Sequence, residues 1–327
     1  MRNYSLAEYL NSFLTSYLLT QRNVSSNTIR SYKTTFKLFF KYIIEIKKKS
    51  YKDINFSILT RENIINFLNY LEEEKKSSIS TRNQRLAAIK SFCNFILGED
   101  FDNFSVLQRI LTIPQKKGTE KNLDYLTKEE LTTFLSSVQT TKRKEVRDYT
   151  LIVLMYDSAA RVSEITNIKV EDLKLDDNPY VTLYGKGRKI RSVPITEETK
   201  KLLINYIDLF KIKRFNYLFA GNKNEKASTK MITHILKKYE EKSRIGKKIH
   251  PHILRHTRAM HLLEAGVNIV DIRDILGHSS VTTTEIYARS TLEQKRKAIL
   301  GVYNINTDNK DAIWNKDEKI LKDLFEL

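Results

Sequence analysis

A mainly α-helical protein with one small antiparallel β-sheet is predicted, on three observations. Glycine and proline are scarce, 9 and 4 among 327 residues. Charged residues recur between apolar ones at helical spacing, and the two-residue alternation of a strand is clear in one short region only. A chain of this length suits two domains, each able to bury a core of its own.

Four helices are expected at the front, over residues 6–18, 26–47, 60–75 and 80–97. Each of the last three has a capping residue at its start: Ser26 or Asn27, Thr60, and Ser80. Together they predict a compact helical domain over residues 1–101. The pattern then weakens into Pro114-Gln115-Lys116-Lys117-Gly118, a polar stretch with chain breakers, so residues 102–124 are expected to be a linker. The second domain is expected over 125–305. Thr127 caps a helix through Lys128-Glu129-Glu130, and a longer apolar helix over 147–159 leads into Arg161. Strands over 180–184 and 190–195 flank Gly185-Lys186-Gly187-Arg188, the pattern of a hairpin with a glycine-rich turn. In the tail, 306–327, the side chains of Ile313, Trp314, Ile320, Leu321, Leu324 and Phe325 fall on one helical stripe.

Lys and Arg total 57 against 39 Asp and Glu, a formal charge of +18, which attracts polyanions and repels basic partners. Nucleic acid is the first candidate. Membrane is the competing polyanion, but the longest apolar run, 151–156, falls far short of the ~18–20 residues of a spanning helix. Residues 1–10 lack an apolar signal core, so a cytoplasmic protein is expected. The single cysteine, Cys93, has apolar neighbours at helical spacing and reads as a packing residue.

The chemistry concentrates in a few side chains: Arg161 in Ala160-Arg161-Val162-Ser163-Glu164, then His252, Arg255, His278 and Tyr287. Two arginines can neutralise the non-bridging oxygens of one phosphate, histidines can move its protons, and a phenol can displace an ester oxygen and become covalently attached. His252 and Arg255, three apart, share one face if their segment is helical, with His256 then pointing elsewhere. Leu276-Gly277-His278 reads as a helix end with a glycine turn that brings His278 towards Tyr287, and Thr282 to Thr284 can cap the helix that carries Tyr287. Blander readings stand beside these. Arg161 can form a buried pair with Glu164, most tyrosines pack, and the cations crowding the hairpin, Lys186, Arg188, Lys189 and Arg191, can simply touch a phosphate backbone. The pairs His250 with His252 and His256 with His261 could be offered as metal ligands, but no carboxylate or cysteine cluster completes either. No metal is expected, and His256 and His261 read as hydrogen-bonded core residues.

Ala160-Arg161-Val162-Ser163-Glu164-Ile165, His252-Ile253-Leu254-Arg255-His256-Thr257, Leu276-Gly277-His278-Ser279-Ser280 and Thr284-Glu285-Ile286-Tyr287-Ala288-Arg289 resemble, in order and spacing, the boxes of the tyrosine recombinases, or phage integrases. The front resembles that family's SAM-like core-binding domain through Ser25-Ser26-Asn27-Thr28-Ile29-Arg30-Ser31-Tyr32 and residues 80–92, so the likeness covers nearly the whole chain. It implies an α+β catalytic domain that closes, with the helical domain, as a clamp around double-stranded DNA. It implies Tyr287 as nucleophile forming a 3′-phosphotyrosyl link, Arg161, Arg255 and His278 as holders of transition-state charge, Lys186 as acid to the departing 5′-oxygen, and His252 as acceptor or relay of the tyrosine proton. DNA contacts are implied at Asn27, Thr28, Arg30, Lys33, Thr81, Arg82, Arg85, Lys90, Arg188 and Lys189; the plain reading of these charges is a solvated helix face. The link conserves the ester energy, so neither cofactor nor ATP is expected. The hairpin lacks the third glycine of a dinucleotide fingerprint, and no Walker-type phosphate loop occurs. A homo-oligomer on DNA, a tetramer in the synapse, is implied, with the tail docking into a neighbouring protomer, although its stripe alone would equally let it fold back onto its own domain; the need for accessory proteins stays open.

Two positions depart from the family's common pattern. Ser158-Ala159 replaces a frequent Thr-Gly and is expected to reshape a turn, and Arg258 stands where phenylalanine is common and adds charge near the site. The reading is strand exchange for a mobile element, by integration, excision or transposition through a Holliday junction. Its rivals are Xer-type dimer resolution, a type IB topoisomerase, and a DNA-binding protein without catalysis.

Overall fold

The computed structural model describes residues 4–99, 103–118, 124–185, 189–221, 225–278 and 284. The chain divides into two compact units, Met1–Glu120 and Lys121–Leu327. Each has its own hydrophobic core.

The front unit is helical throughout. Helix α1, Leu6–Ser12, starts from a reciprocal cap between Ser5 and Glu8. It runs on as a π-helix over Phe13–Gln21 rather than ending in α geometry. Residues five apart diverge on an α-helix, and the wider π turn brings Phe13 and Leu18, both buried, to one side. Helix α2, Ser26–Glu45, buries Ile29, Phe36, Phe39 and Ile43 as one stripe. Its cap is Ser25, whose hydroxyl accepts from the Thr28 N–H at 3.3 Å. Thr60 caps α3, Arg61–Glu73, as expected. Ser78, two residues before the expected cap, starts α4, Ile79–Leu97. Phe13, Phe36 and Phe92 meet at centroid distances of 5.0–6.4 Å in the middle of the unit.

The stretch expected as a linker from residue 102 holds a further helix, α5, Phe104–Leu111. Its Leu107 and Ile110, with Ile113 beyond it, are buried against the other helices. Cys93 lies in this core, fully buried, and burial pushes its thiol up to about 12, which leaves it an inert packing group.

In the second unit, Thr127 and Glu130 cap α6, Lys128–Ser136, reciprocally. Helix α7 runs Arg143–Asp157, one turn earlier than the sequence pattern suggested, and its Leu151, Ile152, Leu154 and Met155 enter the core. After the short α8, Val162–Ile165, come strands β1, Leu173–Lys174, β2, Tyr180–Tyr184, and β3, Ile190–Pro194, in an antiparallel sheet of order β1-β2-β3. The hairpin lies where the alternation placed it, with Val181 opposite Val193 and Leu183 opposite Arg191. Helices α9, Glu197–Phe210, α10, Thr229–Ser243, α11, Pro251–Glu264, and α12, Ile269–Leu276, complete the described part. Among the described residues no helix is long and apolar enough to cross a membrane.

Candidate phosphodiester site

The turn after α7 forms the floor of the site. Ser158 ends the helix with its hydroxyl donating to the Leu154 carbonyl. Ala159 then adopts φ +49, a left-handed conformation that costs a residue with a Cβ about 1–2 kcal/mol. The Ala159 carbonyl accepts from Arg255 Nη1 at 2.7 Å, and Arg255 Nη2 donates to the carbonyl of Leu276 at the end of α12. Arg255 is 4% exposed, held between two helix C-termini whose partial negative charge suits a cation.

Arg161 leads into α8. Its backbone N–H donates to Glu164 Oε2 at 2.8 Å, its Nη1 to Glu164 Oε1 at 2.9 Å, and its Nη2 to the Gly277 carbonyl at 3.1 Å. The buried pair with Glu164 therefore forms. Even so, 31% of the Arg161 side chain stays open, leaving guanidinium N–H groups for an incoming anion. Burial pushes the Glu164 carboxyl up, but hydrogen bonds and charge from Arg191 and Arg161 outweigh it and hold the group below the usual carboxylate range.

Pro251 at the first position of α11 fixes its entry, and His252, Arg255 and His256 then project from its first turns. His256 does not point elsewhere: it sits one turn above His252, ring centroids 6.4 Å apart, as four-residue spacing on a helix dictates. His278 follows the α12 end, where Gly277 takes φ +62, and its Nδ1 shares a hydrogen bond with buried Thr284 Oγ1 at 3.0 Å. All three imidazoles have a lowered proton affinity. His278 falls to about 4 through burial, then Arg255, Arg161, His256 and Arg191. His256 falls to about 4 through burial, then His252 and Arg255. His252 keeps an exposed edge, yet is lowered by the protein packed around its ring, then by His250, Arg255 and Arg161. Burial first, and neighbouring positive charge second, bias each ring towards the neutral form, and an anion placed among these groups would offset that charge.

His261 is the hydrogen-bonded core residue expected: Nε2 donates to the Leu126 carbonyl at 2.9 Å, so Nδ1 accepts from the Tyr156 hydroxyl at 2.9 Å. Arg258, expected to add charge near the site, instead pairs with Asp157 at 2.9 Å and stacks over Tyr156. Among the described residues no group of three or more His, Cys, Asp or Glu could hold a metal ion. Lys186, Arg188, Tyr287, the Thr282 end of the expected cap and the tail helix lie outside the described residues.

In the front unit, Asn27, Arg30 and Lys33 form an exposed stripe along α2, which Lys37 extends. Thr28 and Thr81 bond the cap serines Ser25 and Ser78. Three cations on α4 turn inward instead. Arg82 is 4% exposed and pairs with Glu72. Arg85 Nη1 donates to Ser31 O and Thr35 Oγ1 at 3.0 and 3.1 Å, and Lys90 Nζ to Leu111 O at 2.6 Å. Lys189 is exposed at the start of β3.

Residues 124–294 match the family model described as "Phage integrase family", and residues 10–100 that described as "Phage integrase, N-terminal SAM-like domain". The chain is 34% identical over 301 residues to a putative integrase/recombinase of Sinorhizobium fredii (strain NBRC 101917 / NGR234), covering 90% of this chain and 91% of that protein. It is 32% identical over 300 residues to the tyrosine recombinase XerD of Staphylococcus epidermidis, covering 90% and 97%. Among solved structures, the Tn1549 transposon integrase in complex with transposon right end DNA shares the fold at a TM-score of 0.68 and 20% identity, covering 89% of this chain and 98% of that one. The XerH recombinase bound to palindromic difH substrate shares it at 0.67 and 21%, covering 89% and 84%.

Proposed function

The chain belongs to the phage integrase family and is a tyrosine-type site-specific DNA recombinase, and on that footing we propose that it exchanges strands of double-stranded DNA at the ends of a mobile element, in integration, excision or transposition. The observation that carries this is the convergence of two guanidiniums, Arg161 and Arg255, with the imidazoles of His252, His256 and His278, a set of groups suited to a phosphate. The oxygen of Tyr287 attacks the scissile phosphorus, giving up its proton to His252, while Arg161, Arg255 and His278 hold the charge that grows on the non-bridging oxygens. The bond to the 5′-oxygen breaks as Lys186 supplies that oxygen's proton, leaving a 3′-phosphotyrosyl link. A 5′-hydroxyl of another strand then reverses the step, and two such exchanges make and resolve a Holliday junction within a tetramer. The exposed stripe of Asn27, Arg30 and Lys33 follows the phosphate backbone, so that both units grip the duplex. The likeness to XerD along nearly its whole length favours a second reading, resolution of chromosome or plasmid dimers.

The test is covalent capture of a suicide-nicked duplex taken from the DNA flanking the gene. Wild-type protein should form a phosphotyrosyl adduct, and Tyr287→Phe should bind the same duplex and form none. An adduct from Tyr287→Phe sinks the assignment, and a wild-type protein that binds without capture reduces it to a DNA-binding protein. Relaxation of any supercoiled plasmid, with no need of a paired site, would instead favour a topoisomerase. Inverted repeats at an element boundary separate the mobile-element reading from dimer resolution.

A further inference from the structure

Arg191, on β3, lies outside every motif that carries the family resemblance, yet it touches three parts of the site. Its Nε donates to the Ile275 carbonyl at 2.9 Å, Nη1 to Glu164 Oε1 at 2.9 Å and Nη2 to Glu164 Oε2 at 2.8 Å. The turn before His278 packs closely against the same side chain: a Cβ added to Gly277 would stand 3.0 Å from Nη1 and 3.1 Å from Cδ and Cζ. At the base of the hairpin, a Cβ on Gly185 would approach Glu164 Oε1 to 3.3 Å.

We propose that Arg191 is a positioning residue for strand cleavage, one that neutralises Glu164 so that the charge of Arg161 stays available to the phosphate. This rests on the recombinase reading above. Glu164 is 3% exposed, and a buried carboxylate demands a cation. Were Arg161 its sole partner, the pair would carry no net charge, and Arg161 would be drawn inward. With Arg191 bound through both terminal nitrogens, the trio of two guanidiniums and one carboxylate carries a net charge of +1. Arg161 can then hold Glu164 with Nη1 and Gly277 with Nη2 and still offer N–H groups outward. The contacts to Ile275 and Gly277 fix, from the same anchor, the turn that presents His278. Arg191 touches no reacting atom in this scheme; it acts through Arg161 and the α12 end.

Capture of the nicked flanking duplex, with full-length protein, tests this. Arg191→Met should bind the duplex as wild type does and capture it about 100-fold more slowly, the cost of roughly 1 Å of misplacement. Arg191→Lys keeps a cation but loses the fork, and should fall between the two. The deciding variant is Glu164→Gln combined with Arg191→Met, which removes the unbalanced carboxylate along with its partner and should capture faster than Arg191→Met alone. Contacting residues need not add, and removing an orphaned buried carboxylate restores stability whatever the role of the pair, so capture is read well below each variant's urea midpoint: a purely structural role then gives the double variant the rate of Arg191→Met, and positioning a faster one. If Arg191→Met loses its cooperative unfolding transition, Arg191→Lys carries the comparison, and a wild-type rate there overturns the proposal. A wild-type rate for Arg191→Met, or a double variant no faster than the single, overturns it too. Failure of the wild-type protein to capture strikes the recombinase reading instead, and this proposal falls with it.

Discussion

The three imidazoles packed beside Arg161 and Arg255 all have a lowered proton affinity. His256 and His278 are held at about 4 by burial and neighbouring positive charge, whereas an unfolded chain protonates its histidines near ~6.5. Between those values the unfolded state binds more protons than the folded one, so stability is full above about 6.5 and is lost as pH falls towards 4. The midpoint of urea unfolding should therefore be lower at pH 5 than at pH 7, and His256→Gln should flatten that difference. An equal or higher midpoint at pH 5 would contradict the arrangement. Arg161, His252, Arg255 and His278 were legible in the sequence because each sits in a short segment whose helical or turn spacing fixes its direction. Arg191 was not. Strand alternation normally points the apolar residue inward, but here Ile190 is 64% exposed and Arg191 shares the inner face with Val193. The clue available was a buried acid, Glu164, needing more cation than Arg161 alone.

Among the elements, apolar stripes at i, i+3, i+4 and i+7 made α2, α3 and α4 readable, and two-residue alternation around a glycine-rich turn the hairpin; helix bounds shifted by a few residues where neighbouring serines compete as caps, as Ser78 does with Ser80. The π-helix was hidden because its five-residue pairing of Phe13 with Leu18 does not belong to the α template. Helix α5 was hidden because eight residues beside the polar stretch of Pro114, Lys116, Lys117 and Gly118 look like a connection, and only packing on α3 and α4 shows otherwise. If α5 is part of the front unit's core, Leu107→Ala, at a site 1% exposed, should destabilise that unit by about 2–5 kcal/mol. Chemical denaturation of the full chain, followed by a probe in the front unit, measures this, and a loss under about 0.5 kcal/mol, the range of surface substitutions, would return the segment to linker status.

For the molecule as a whole, a formal charge of +18 is a statement about partners rather than about fold. DNA affinity should fall by about 0.9 log units per log unit of salt for each phosphate neutralised, so contacts from both units would give a slope several times that of a single contact. Titrating a labelled duplex at graded salt concentrations reads the slope directly, and a flat response would exclude an extended basic interface. Composition showed the sign of the charge but not its disposition. Arg82, Arg85 and Lys90 count towards the total, yet each is engaged with a neighbouring side chain or carbonyl of its own unit.

The carbonyls that grip Arg255 come from the ends of α7 and α12. A guanidinium so partnered is already engaged, and a lone sulfate or inorganic phosphate ion would have to compete with two helix dipoles for it. Buffer salts should accordingly be poor inhibitors at concentrations where they barely screen, and occupancy should go to a ligand that is tethered at many points and cannot diffuse away when one of them lets go.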